Sequence, residues 1–139
     1  MVNQIALKLT QSHTDITTRA DIENLVETFY DQVFADKLLA PLFTVVAHVT
    51  LATHFPLMAD FWETILFAKN RYHSNVILKH IELHSKQLLE PVHFEQWNSL
   101  FCLTVNALFT RPIAEAAKTR ARTMSMVLQA KLHTLANTH

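Results

Sequence analysis

Five stretches of this chain repeat apolar residues at helical spacing, with polar residues filling the positions between them. In the first, Ile22, Leu25, Val26, Phe29, Tyr30 and Val33 form one stripe. Thr17 or Thr18 stands at its start as a cap, and Asp21 and Glu23 oppose the helix dipole in the first turn. The spacing predicts a helix ending near Asp36. Leu38, Leu39, Pro41, Leu42 and Phe43 follow as an apolar corner, which Pro41 keeps from continuing as one helix. Beyond a poorly patterned Thr44–Thr50, the second stripe is Leu51, His54, Met58, Phe61, Trp62 and Ile65. Pro56 is harmless if this helix starts near Thr53, because first-turn N–H groups have no intrahelical partner; an earlier start implies a kink.

Lys69–Ser74 is polar and reads as a loop. The third stripe surrounds His80, with Val76, Ile77, Leu83 and Leu88 beside it and Lys79, Glu82 and Lys86 expected on the opposite side. Pro91 opens a fourth helix at a favoured N-terminal place, and the pattern carries it to about Thr110. Phe94, Trp97, Phe101, Val105 and Leu108 share one side of it, while Leu100, Leu103 and Ala107 widen the arc. Only Glu95, Ser99 and Asn106 are left for water, which predicts a central helix packed on more than one side. Pro112 ends it. The last helix, Ile113–Leu135, repeats Ile113, Ala117, Ala121, Met124, Leu128, Leu132 and Leu135. With no convincing strand, the expected fold class is all-α.

Composition narrows this picture. The chain has 139 residues, enough for one buried core, and no repeat or linker divides it. The reading is one domain over 1–139, with 1–17 as a short leading helix or arm centred on Val2–Leu9. Glycine is absent, which argues against a P-loop, a dinucleotide fingerprint and a hairpin-rich β-fold, since all lean on positive φ. Twelve basic and twelve acidic residues cancel, so no broad footprint for nucleic acid or anionic lipid is expected. The Lys118, Arg120, Arg122 group reads as a solvated helix face. Cys102 is the single cysteine, which excludes a disulfide framework and a thiolate zinc site. No stretch approaches the roughly 18 apolar residues of a membrane span, and the N-terminus lacks a secretion pattern; a cytoplasmic protein is the expectation.

Candidate chemistry lies in the stripes. Tyr30, His54, His80 and Trp97 are polar aromatic residues placed in apolar stripes of four different helices. A buried polar group left unpaired costs about 1–3 kcal/mol, so four of them together point to a shared polar ligand or cofactor. Taken singly, each reads as a core residue with a satisfied polar tip. His80 and His84, four apart on one helix, also suggest zinc, with His54, His73, His93 or Glu90 to complete it; no motif such as HExxH supports that set. Cys102 with His93 and Ser99 does not assemble a nucleophile and its base, because spacing along one helix does not place them together.

Several pieces together resemble the group III truncated haemoglobins, small bacterial globins. They are Phe29-Tyr30 followed by Pro41-Leu42-Phe43, and the run His54-Phe55-Pro56-Leu57-Met58 leading to Phe61-Trp62. Further along come Tyr72 eight residues before His80, then His93-Phe94, Trp97 and Leu100-Phe101, so that the resemblance covers Ile22–Arg122. It implies a truncated globin fold, a helical sandwich around haem b (iron protoporphyrin IX). It implies His80 as the proximal iron ligand, with its second ring nitrogen on a carbonyl of the preceding turn; His84, one turn on, is the alternative. Phe43 would pack on the porphyrin, Tyr30 and Trp97 would donate to an iron-bound diatomic ligand, and His54 would be a third distal group or a gate. Met58, Phe61 and Trp62 would line an apolar wall, and Arg71, Tyr72 and Lys79 are the candidates for the propionates.

The function so implied is binding of dioxygen, nitric oxide and carbon monoxide, with oxygen transport among the roles, by a monomer or weak dimer. Nitric oxide or peroxide redox chemistry would need a reductase that the sequence does not name. The alternative is a haem-free helical bundle acting as an interaction or sensor module.

Overall fold

The computed structural model describes residues 14–46, 50–72 and 75–137; Val2–Leu9 and His73 lie outside them, as do the side chains of Leu51, Ile77 and Leu135. In order, the described residues form α1 (Arg19–Ala35), a π-helical turn (Leu42–Val46), α2 (Leu51–Phe67), α3 (Val76–Lys86), α4 (Pro91–Leu108) and α5 (Pro112–Asn137). The architecture is all-α, as the periodicity predicts. Among the described residues the one β-bridge is parallel, between Thr14 and Phe109.

α1 follows its pattern closely. Thr18 is the cap: its side chain accepts from the Asp21 N–H, and the Asp21 carboxylate returns the bond to the Thr18 N–H at 3.1 Å. The helix buries Ile22, Leu25, Val26, Phe29, Tyr30 and Val33 and stops at Asp36. There the Asp36 carboxylate accepts the N–H groups of Leu38 and Leu39 and the amide of Gln96, which fixes the corner to α4. The chain does not leave this corner as irregular coil. It resumes helical winding at Ala40 and widens into the π-helical turn, a form that often marks functional sites.

α2 starts two residues before the expected Thr53. Thr50 and Thr53 cap it reciprocally, a signal hidden in a segment without apolar period. Pro56 consequently lies inside the helix, where it cannot donate to the carbonyl of Ala52. α1 and α2 are tied at one end by Arg19, which reaches Asp60 at 2.8 Å and the buried Glu63 at 3.4 Å. Glu63 also takes Arg71 at 3.0 Å.

α1 packs on α2 and α4, α4 packs on α5, and α3 packs on α5 and the π-helical turn. α4 ends at Leu108, short of Thr110, and its exposed arc is wider than its pattern implies, since Leu103 lies 55% exposed. Before α1, Ile16 is fully buried and residues 14–17 lie outside any helix. The Asp15 carboxylate accepts the N–H groups of Ile113 and Ala114 at 3.1 and 2.9 Å, capping α5 from a distance. Among the described residues two take positive φ, Ala68 after α2 and Arg111 before α5. The chain therefore does contain left-handed turns, made without glycine at a local cost of about 1–2 kcal/mol each.

Candidate functional site

α3 brings His80 to the edge of a cavity of about 380 Å³, within the usual range for small-molecule sites. The π-helical turn supplies Leu42 and Phe43, α2 supplies His54, Met58, Phe61 and Trp62, and α4 supplies Trp97. Tyr30 reaches it from α1 and Tyr72 from the segment before α3. Of the residues that the sequence singles out for a cofactor, Tyr30, Phe43, His54, Met58, Phe61, Trp62, Tyr72, His80 and Trp97 thus line one mostly apolar space.

His80 has a defined tautomer. Its Nδ1 lies 2.9 Å from the carbonyl oxygen of Val76, one turn back. A carbonyl can only accept, so Nδ1 carries the proton and Nε2 keeps a lone pair. Burial lowers the His80 pKa from its ordinary value, against the Val76 bond, which raises it. The ring is therefore neutral at neutral pH. His84 is placed differently: its Nδ1 accepts the Leu89 N–H at 3.0 Å, closing the end of α3, and it does not line the cavity.

Across the space, Tyr30, His54 and Phe43 form a tight aromatic group. Tyr30 and His54 meet edge to face with ring centroids 4.6 Å apart, and Phe43 lies 5.3 Å from His54. Tyr30 is 2% exposed; burial pushes its hydroxyl well above the usual phenol range, partly opposed by a hydrogen bond with Trp97. An indole N–H can only donate, so the influence of Trp97 on Tyr30 falls on the phenol oxygen and leaves the O–H as a donor. Burial, with the charge of His80 second, lowers His54 to a pKa of about 4. Its Nε2 is buried with no hydrogen-bond partner, an arrangement that costs about 1–3 kcal/mol unless something in the cavity meets it.

The rim departs from the expected placement. Lys79, Glu82 and Lys86 line the same cavity as His80 instead of facing away, and they remain exposed. Their spacing of three and four follows the helix beside His80, so the signal was present but reads as a solvated face. His93 joins them, with its Nδ1 accepting the Glu90 N–H at 2.9 Å. Arg71 does not reach the cavity and is held by Glu63. Leu88 lies past the end of α3 and is 56% exposed. The pattern also leaves out the floor: Met124, Ser125 and Leu128 of α5 line it, and Ser125 is the polar interruption of an otherwise apolar stripe.

The other chemistries do not come together. Among the described residues, which do not include His73, no three histidine, cysteine, aspartate or glutamate side chains are grouped to hold a metal ion. Cys102 lies 3.8 Å from the guanidinium of Arg122, away from the cavity.

No protein-family model and no curated protein sequence matches this chain. Among solved structures it is similar to the crystal structure of group III truncated hemoglobin from Campylobacter jejuni. The TM-score is 0.77 at 22% identity, over 87% of this chain and 95% of that one. The chain has the truncated-haemoglobin fold, and the likeness is to the group that its sequence motifs resemble.

Proposed function

We propose that the cavity takes haem b, with His80 as the ligand to iron, and that the protein binds dioxygen and other diatomic gases on the side of Tyr30. The observation that carries this reading is His80 itself. It is a neutral imidazole at the cavity edge, with Nδ1 held by Val76 and the lone pair of Nε2 left for a metal. The unpartnered Nε2 of His54 fits the same group, because a bound ligand or the iron would satisfy it. Haem in this place supplies an iron that binds a diatomic molecule reversibly.

The protein's own residues do the rest. Trp97 donates to the Tyr30 oxygen and so orients the phenol, whose O–H is then the donor for a ligand carrying partial negative charge. Trp97 is in this account a positioning residue, where the sequence suggested a second direct donor. Phe43, Met58, Phe61 and Trp62 keep water from the site and strengthen that hydrogen bond. Lys79 and Lys86 at the rim suit the two porphyrin carboxylates, with Tyr72 lining the wall beside them. Turnover of nitric oxide or peroxide would draw electrons from a separate reductase.

Titrating the purified chain with haem tests the reading. A Soret band that saturates at one haem per chain is expected. A chain that stays spectrally silent with haem in excess contradicts it and leaves the helical interaction or sensor module.

A further inference from the structure

Trp97, Phe101 and Trp62 form a stack inside the molecule. Trp97 and Phe101 are parallel to within 1° at 5.4 Å between centroids, and Phe101 and Trp62 to within 15° at 4.8 Å. The series continues edge to face, from Trp62 to Phe61 at 5.4 Å and from Phe61 to Tyr72 at 5.3 Å. Five rings therefore form one series of contacts, from α4 through α2 to the segment before α3. Rings that lose an electron readily alternate along it with rings that do not: indole and phenol are far easier to oxidise than a phenyl group. Phe101 and Phe61 can bridge, while Trp97, Trp62 and Tyr72 can each hold a hole.

The inventory is what makes this order informative. The chain has two tryptophans and two tyrosines in all, and each of the four lines the cavity. A hole that settles on an indole or a phenol therefore has four addresses. Tyr30 and Tyr72 differ as end points. Oxidising a phenol at neutral pH requires its proton to leave, and Tyr30, at 2% exposure, has almost no contact with water to take it. Tyr72 is half-buried, so of the two phenol residues it is the one in partial contact with water.

We propose that these rings form a hole-transfer relay that draws oxidising equivalents from the cavity beside Trp97 to Tyr72. The proposal rests on the haem reading for its oxidant, a hydroperoxide reduced at the bound iron. Breaking the O–O bond to give an alcohol and water takes two electrons and two protons. Iron held there would supply one electron. Tyr72 gives the other through Phe61, Trp62, Phe101 and Trp97; its O–H bond breaks, the proton goes to water, and a phenoxyl radical remains. Water supplies the two protons consumed. An electron taken along this path does not come from the distal Tyr30, whose O–H is kept for the ligand.

Two measurements test the relay. In the first, the ferric haem-loaded chain is mixed with hydrogen peroxide, frozen and read by electron paramagnetic resonance. A tyrosyl signal is expected; Tyr72→Phe should remove it, and Trp62→Phe should leave the spin on tryptophan. A tyrosyl signal unchanged in Tyr72→Phe overturns the proposal. In the second, the full chain without haem is oxidised by azide radicals in pulse radiolysis. The indole radical should decay as a phenoxyl radical grows, at a rate independent of protein concentration, and Tyr72→Phe should lose that growth. Growth that persists in Tyr72→Phe, or that is missing from the unsubstituted chain, overturns the relay. The second measurement needs no haem, so a chain that takes up none contradicts the proposed function and leaves the relay to be judged by itself.

Discussion

α1 and α3 stand at the two sides of the same cavity and are held in place by different means. α1 has a reciprocal cap, a continuous stripe of buried residues and an ion-pair link to α2. α3 has an Asn75 cap, eleven residues and no described side chain that is fully buried. Its apolar side, with Val76, His80 and Leu83, looks into the cavity. A helix that short is marginal unless something packs against it. The contrast teaches that α1 is held by a packed core of its own, whereas α3 packs on α5 and the π-helical turn and turns the rest of its apolar side to the cavity.

Substitutions should separate the two helices. Phe29→Ala in α1 removes a fully buried ring and should cost about 3–5 kcal/mol in a denaturant titration of the haem-free chain. Leu83→Ala in α3, under the same conditions, should cost less than about 1 kcal/mol, because the side chain borders a space and not a packed core. Equal costs would erase the distinction. Haem should act in the opposite sense: at a free concentration a hundredfold above Kd, it should stabilise the chain by about 2.7 kcal/mol. Hydrogen exchange should then slow most in α3 and least in α1.

Smaller effects sharpen the comparison. Tyr30→Phe removes a donor to a partly charged ligand and should speed dioxygen dissociation by about tenfold or more, as a loss of about 1.5–3 kcal/mol implies. Trp97→Phe should act in the same direction but less, since it only orients Tyr30; stopped-flow dissociation rates give the order. On the packed side, burial raises the Asp15 pKa, but the backbone N–H donors of Ile113, Ile16 and Ala114 outweigh it and hold the carboxyl below its ordinary value. With the folded value lower than the unfolded one, its contribution is present above about pH 4 and is lost as pH falls through the folded pKa. Asp15→Asn should cost about 1 kcal/mol at neutral pH and flatten that acid dependence. Ala68→Gly, at a left-handed position on the way to α3, should raise stability by about 1 kcal/mol or less, read as a small rise in Tm.

Some of this was legible in the residues and some was not, for physical reasons. α1 reads cleanly because cap, period and burial agree in one segment. The set Tyr30, His54, His80 and Trp97 reads as a site because polar aromatics interrupt apolar stripes on four helices. The start of α2 was hidden because Thr50 and Thr53 cap each other inside a stretch without hydrophobic period, and Pro56 argued for a later start. The π-helical turn was hidden because Leu42–Val46, apolar except for Thr44, is too short to show a period. Lys79 and Lys86 were misplaced because charge marks contact with water, and a cavity rim has that contact too. That Phe101 stands between the two tryptophans depends on how α2 and α4 cross, which no local pattern encodes.

The claim on which the account depends is that α3 offers His80, and not His84, to the iron. Absorption spectra of His80→Ala and His84→Ala, each purified with haem supplied, test it directly. His84→Ala should keep the Soret band of the unsubstituted chain, and His80→Ala should lose stable haem. A Soret band retained in His80→Ala and lost in His84→Ala would contradict the account.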